Sequence, residues 1–148
     1  PTARRVVRGA AVGGGVPPAP APTEGPAHFQ AASGRRATER FLALAEPPEV
    51  VFAADNLMAL GALDAIRARG LRVPDDIALA AFDDIPWFVH TDPPITAVAQ
   101  PTADLARAAV RALADLIEGR TPQSVTLPAR LVVRRSCGQD ATDQRSTR

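Results

Sequence analysis

Val50-Val51-Phe52-Ala53-Ala54, closed by Asp55-Asn56, is the first of three apolar runs that each end in a polar residue. The second is Ile77-Ala78-Leu79-Ala80-Ala81-Phe82 before Asp83-Asp84, and the third is Ile95-Thr96-Ala97-Val98-Ala99 before Gln100. Short continuous apolar runs, with a helical pattern over Leu57 to Arg69 after the first, read as buried parallel strands joined by right-handed crossovers. The fold class is therefore α/β, an open and mostly parallel sheet with flanking helices. In such sheets ligands bind in the crevice beyond the carboxyl ends of the strands, which puts Asp55, Asp83 and Gln100 on one rim. A carboxylate there accepts hydrogen bonds from ligand hydroxyls or ammonium groups. The same residues also fit a purely structural reading, with Asp55 capping the next helix and Asp83-Asp84 shaping a turn.

Outward from this stretch, the helix after the first run carries Ala59, Ala62, Leu63 and Ile66 at i, i+3, i+4, i+7 and stops at Gly70, a residue suited to a left-handed cap. Upstream, Ala37, Phe41 and Leu44 keep helical spacing until Pro47-Pro48. Thr2 to Gly15 reads as a helix frayed by Gly13-Gly14-Gly15, and the proline-rich Pro17 to Pro22 as an extended surface loop. Downstream, Ile85 to Val89 is an apolar cluster on a loop and holds the one tryptophan, Trp87. Thr102 to Glu118 reads as an amphipathic helix with Thr102 as N-cap and Gly119 as its stop. Val125 to Leu127 and Leu131 to Val133 read as short strands, and Gly138 to Arg148 as a disordered polar tail.

Composition narrows the chemistry. All 17 basic residues are arginine, so Schiff-base and phosphate-loop chemistry that needs lysine is excluded. A net charge of +1 gives no general attraction to nucleic acid or anionic lipid, and Arg134-Arg135 reads as a solvated face. The one cysteine, Cys137, has no neighbours at metal-ligand spacing, and His28 and His90 fall in loops without a visible partner. No catalytic residue, metal or cofactor is expected, and with no long apolar run and no signal segment the chain reads as soluble and cytoplasmic, with no membrane partner.

The order of motifs resembles the sensor region of the LacI/GalR family of bacterial transcriptional regulators. The matching text is Val51 through Leu63, Arg69-Gly70-Leu71-Arg72-Val73-Pro74-Asp75-Asp76-Ile77, Phe82-Asp83-Asp84-Ile85-Pro86-Trp87, Pro93-Pro94-Ile95-Thr96 and Gln100-Pro101. The resemblance implies an incomplete periplasmic-binding-protein-like sensor core. Residues 1–99 would be the C-terminal lobe without its first strand, 100–124 a helix segment of the N-terminal lobe, 125–137 return strands and 138–148 a tail. A small sugar-like or nucleoside-like effector would bind between lobes. Operator DNA would be reached only through a headpiece absent from this chain, which would then be a fragment or a truncated gene product. A transport binding protein's sugar lobe is the alternative, and an enzyme or phosphoacceptor holding magnesium on Asp55, Asp83 and Asp84 a further one.

Carried over residue by residue, the resemblance implies effector contacts at Thr2, Phe29, Asp55, Asp83 and Gln100. Val6 stands where many members carry an arginine clamp, and Asp55-Asn56 reverses the commoner Asn-Asp order. The family pairs as homodimers through the helix after the first acidic turn and the segment after Phe-Asp-Asp, which implies Leu60, Asp64, Trp87 and Phe88 at the dimer interface.

Overall fold

A computed structural model describes residues 9–12 and 30–138. Its sheet has five strands in the order β1-β2-β3-β4-β5. β1 is Gly9–Val12, β2 Val50–Ala53, β3 Ala78–Phe82, β4 Thr96–Ala99 and β5 Arg130–Val132. The first four run parallel in sequence order, and β5 closes antiparallel on β4. The helices are α1 (Ala31–Leu42), α2 (Asn56–Ala68) and α3 (Thr102–Ile117), with 3-10 turns at Pro86–Val89 and Arg135–Cys137.

The core lies between α1, α2 and one face of the sheet. Burial alternates along β2 and β3, so Val51, Ala53, Leu79 and Ala81 are buried and pack with Met58, Ala59, Ala62, Leu63 and Ile66 of α2. The residues between them, Val50, Phe52, Ala78, Ala80 and Phe82, are half-buried. The four apolar positions expected to face inward on α2 all do so. Gly70 ends that helix at φ 70°, the left-handed conformation its sequence position called for.

α1 and α2 meet backbone to backbone. A Cβ added at Gly34 would stand 2.3 Å from the carbonyl oxygen of Met58, and one at Gly61 1.8 Å from that of Ala31. Glycine at both positions is what permits this crossing, at the cost of helix propensity in the middle of α2.

Several expectations are corrected. Gly9–Val12 is a parallel strand on β2, not helix, because pairing with an existing sheet edge overrides the weak helix preference of Gly-Ala-Ala-Val. The rest of Thr2 to Gly15, the proline-rich loop and the polar tail after Gly138 lie outside the described residues. Val125 to Leu127 is no strand, since β5 already occupies the free edge of β4. Thr102 is the first helical residue of α3; the cap position falls on Pro101, whose carbonyl accepts from the Leu105 N–H, and no side chain caps it. Phe88 is fully buried in the core at 0% exposure, because the 3-10 turn folds it under the sheet end. It is therefore unavailable to a partner, and only its neighbour Trp87 stays half-buried, edge-on to the Phe88 ring at 5.1 Å.

Candidate functional site

The carboxyl ends of β2, β3 and β4 form the rim where the sequence places its polar residues. Ala53 of β2 is in register with Ala81 of β3, so Asp55 and Asp83 each stand two residues beyond matched positions on neighbouring strands. Asp55 takes the helix-cap role: it is only 9% exposed, and its Oδ1 accepts the Met58 N–H at 2.8 Å. Its Oδ2 is buried and has no hydrogen-bond partner among the described residues. A carboxylate oxygen in that condition carries an uncompensated desolvation cost, and a donor brought to this rim would relieve it.

Asp83 departs from ordinary backbone geometry, with φ at 68°. Aspartate tolerates this left-handed conformation better than most residues with a Cβ, though it is still disfavoured. The Asp83 N–H donates to the Val98 carbonyl at 2.9 Å, and its Oδ1 accepts a hydrogen bond from the Gln100 side-chain amide. Two of the three expected rim residues are thus in direct contact, joined across the ends of β3 and β4. Asp83 is half-buried, so part of its surface stays open to solvent.

Arg134 corrects the reading of Arg134-Arg135 as a solvated pair. Its side chain is 15% exposed and its guanidinium grips Asp84 with both Nη atoms, at 2.8 and 2.9 Å. Nη1 also donates to the Ile95 carbonyl at 2.6 Å. Behind it, Thr96 and Ser136 lock the return segment: Ser136 Oγ donates to Leu79 O at 2.6 Å and accepts the Thr96 N–H at 2.8 Å. Cys137 Sγ lies 3.1 Å from Thr96 Oγ1, so the cysteine is part of this packing. The one sequence signal for Arg134 was a charge set directly against the apolar end of the last strand, Leu131-Val132-Val133.

The magnesium arrangement is not formed. Asp84 is occupied by Arg134 and Asp55 by its helix, and no group of three or more His, Cys, Asp or Glu side chains able to hold a metal ion occurs among the described residues. Thr2, Val6, Phe29 and His28 lie outside the described residues, while His90 is exposed. Likewise among described residues, no helix is long and apolar enough to cross a membrane.

On the other side of α2, Leu60, Asp64 and Arg67 line a shallow cavity of about 340 Å³ with Ala31, Ala32 and Arg35. Asp64 is exposed and bridges to Arg35 of α1 at 2.9 Å.

Against this geometry, the comparisons with known proteins agree with one another. The model of the periplasmic binding protein-like domain matches residues 3–137. The transcriptional repressor MelR of Bacillus subtilis (strain 168) is 43% identical over 97 residues, 65% of this chain and 28% of that protein. The solved complex of the transcriptional regulator CelR with cellobiose superposes with a TM-score of 0.68 at 41% identity, covering 73% of this chain and 34% of that one. The lac repressor dimer bound to operator and the anti-inducer ONPF does so with a TM-score of 0.66 at 33% identity, covering 74% and 33%. The chain spans less than a third of the length of the first curated relatives it matches. With its parallel sheet and acidic rim, the chain belongs to the periplasmic binding protein-like domain family, in the form found in the sensor region of LacI/GalR transcriptional regulators.

Proposed function

We propose that this chain is the effector-sensing and dimerisation part of a cytoplasmic LacI-type transcriptional regulator, a binding module and not an enzyme. Its effector is a small sugar-like ligand taken at the rim, with Asp83 as the principal acceptor for ligand hydroxyls, Gln100 beside it, and Thr2 and Phe29 as further contacts. The observation that carries this reading is the Asp83 carboxylate, presented at a strand end by a left-handed turn and steadied through one oxygen by the Gln100 amide. The Gln100 amide engages Oδ1 and not Oδ2 of Asp83, and Asp55 Oδ2 supplies another acceptor on the neighbouring strand end. CelR's complex with cellobiose favours a sugar over a nucleoside, and the run of regulator relatives favours this reading over a transport binding protein.

The domain division follows from the same reading. Residues 1–99 form the C-terminal lobe, 100–124 belong with the N-terminal lobe, 125–137 return to the first and 138–148 are a tail. α3 supports it: none of its residues is buried, and Leu105, Val110, Leu113, Leu116 and Ile117 are all exposed, as expected of a helix whose packing surface belongs to another lobe. Operator DNA is engaged through a helix-turn-helix headpiece, the kind of DNA-binding part for which the curated relatives are named. Two copies pair through α2, with Leu60, Asp64 and Trp87 in the contact.

Calorimetric titration of the chain with cellobiose tests the site. Binding weaker than micromolar is expected, because only part of a two-lobed cleft is present and Val6 cannot provide the forked donors of an arginine. Asp83→Ala should abolish the heat, since one carboxylate carries most of the recognition. An Asp83→Ala variant that binds cellobiose like the parent removes the rim from consideration.

A further inference from the structure

Asp83 and Asp84 are adjacent in sequence, yet each carboxylate holds a different part of the chain. Asp83 accepts from Gln100, which lies between β4 and α3. Asp84 is gripped by Arg134, which lies just beyond β5. One turn at the end of β3 is therefore fastened both to the segment that leaves the sheet after β4 and to the segment that returns to it.

The fastening at Arg134 is rigid. Its guanidinium makes two parallel bonds to Asp84 and a third to the Ile95 carbonyl, while its backbone N–H donates to Thr96 Oγ1 at 2.8 Å and its carbonyl accepts from the same hydroxyl at 3.0 Å. Both ends of the side chain are thus fixed to the sheet. A bidentate fork restrains direction as well as distance, which a single ammonium charge cannot do. The turn needs that restraint: Asp83 sits at φ 68°, and a residue with a Cβ persists in that region only where its surroundings hold it there. The Asp83 N–H donates to the Val98 carbonyl, which fixes the position of the residue beside β4.

We propose that Arg134 is a positioning residue for Asp83: by clamping Asp84 it keeps the turn left-handed and sets the Asp83 carboxylate against Gln100. The consequence for recognition rests on the reading of Asp83 as an effector contact, because a displaced carboxylate matters to binding only if the effector touches it. A pair this enclosed gives little net stability over an apolar replacement, which makes orientation the more distinctive result of having arginine here.

The test is nuclear magnetic resonance on the isotope-labelled full chain without effector, following the side-chain amide signals of Gln100. In Arg134→Lys, which keeps the charge and loses the fork, and in Arg134→Gln, these signals should move to the position of a free glutamine amide. Gly61→Ala serves as the control: its added Cβ meets α1 backbone at the α1–α2 crossing, so it lowers stability without touching the turn or the residues that hold Arg134, and the Gln100 signals should stay in place. If Arg134→Gln does not fold, Arg134→Lys and Asp84→Asn carry the comparison. Gln100 signals unmoved in Arg134→Lys, or moved as far in Gly61→Ala, would overturn the proposal and leave Arg134 a structural residue. Because no effector is present, failure of cellobiose to bind in the titration leaves this result intact, and the reverse also holds.

Discussion

Replacing Gly61 by alanine should destabilise the fold, although alanine is the better helix former. At Gly61 the added Cβ meets the Ala31 carbonyl oxygen at 1.8 Å, the Ala31 carbonyl carbon at 2.7 Å and the Arg35 nitrogen at 2.6 Å. All three are backbone atoms, so no side chain can rotate out of the way. An ordinary C···O contact is about 3.3 Å or more, so α1 must retreat on the order of 1.5 Å. A gap of that size opens the contact at Gly34 and Met58 as well, and a gap of about 0.5–1 Å already forfeits roughly a quarter to a half of the attraction between facing atoms. Overpacking of this kind costs about 1–3 kcal/mol, and the unyielding backbone puts Gly61 at the upper end. Against it stands a gain of about 1 kcal/mol in helix propensity. The net loss is about 2 kcal/mol. With a urea slope of about 1–3 kcal/mol/M the unfolding midpoint falls by about 1 M, measurable by the fluorescence of Trp87. A Gly61→Ala chain that unfolds at or above the parent midpoint would show that the two helices do not cross in contact at this residue.

Acid should remove one identifiable contribution to stability. The Arg72 side chain, and next its backbone N–H, hold the Asp76 carboxyl below its ordinary 3.8. A depressed folded value stabilises the fold above about pH 3.8 and is lost as pH falls through the lower folded value, so Asp76→Asn should be less stable than the parent at neutral pH and converge with it in acid. Urea midpoints measured across that range check the sign; a constant gap between the two chains contradicts it. Hydrogen exchange should find the amides of Leu105 to Leu116 far less protected than those of β2, since α3 buries no residue and an amphipathic helix without a packing surface is marginal. Equal protection would mean that α3 has found a partner. For self-association, Leu60→Asp and Trp87→Ala should each shift a dimer toward monomer, by about 2 kcal/mol or more if Trp87 is a hot spot, and sedimentation of parent and variants measures it. A dimer unchanged in both variants moves the paired surface elsewhere.

By itself the sequence determined the parallel α/β architecture, the inward face of α2 and the rim residues, because each depends on local pattern. Apolar runs of strand length, i, i+3, i+4, i+7 spacing and a polar residue closing each strand are all properties of neighbouring positions. Asp55 was legible as a cap for the same reason, since its bond to the Met58 N–H spans three residues. What tertiary structure decided involves residues far apart in the chain. Gly9–Val12 became a strand only because β2 offered an edge, and Val125 to Leu127 did not because β5 had taken the edge of β4. Phe88 looked like a surface anchor beside Trp87 until the 3-10 turn carried it into the core. Gly34 and Gly61 gave no local sign that two backbones touch there, since the reason for each glycine lies on the other helix. Arg134 and Asp84 are separated by 50 residues, and their pairing follows from β5 closing beside β4, which no spacing along the chain encodes. Local periodicity fixes which residues face inward; which distant residue each one meets is set by how the strands and helices pack.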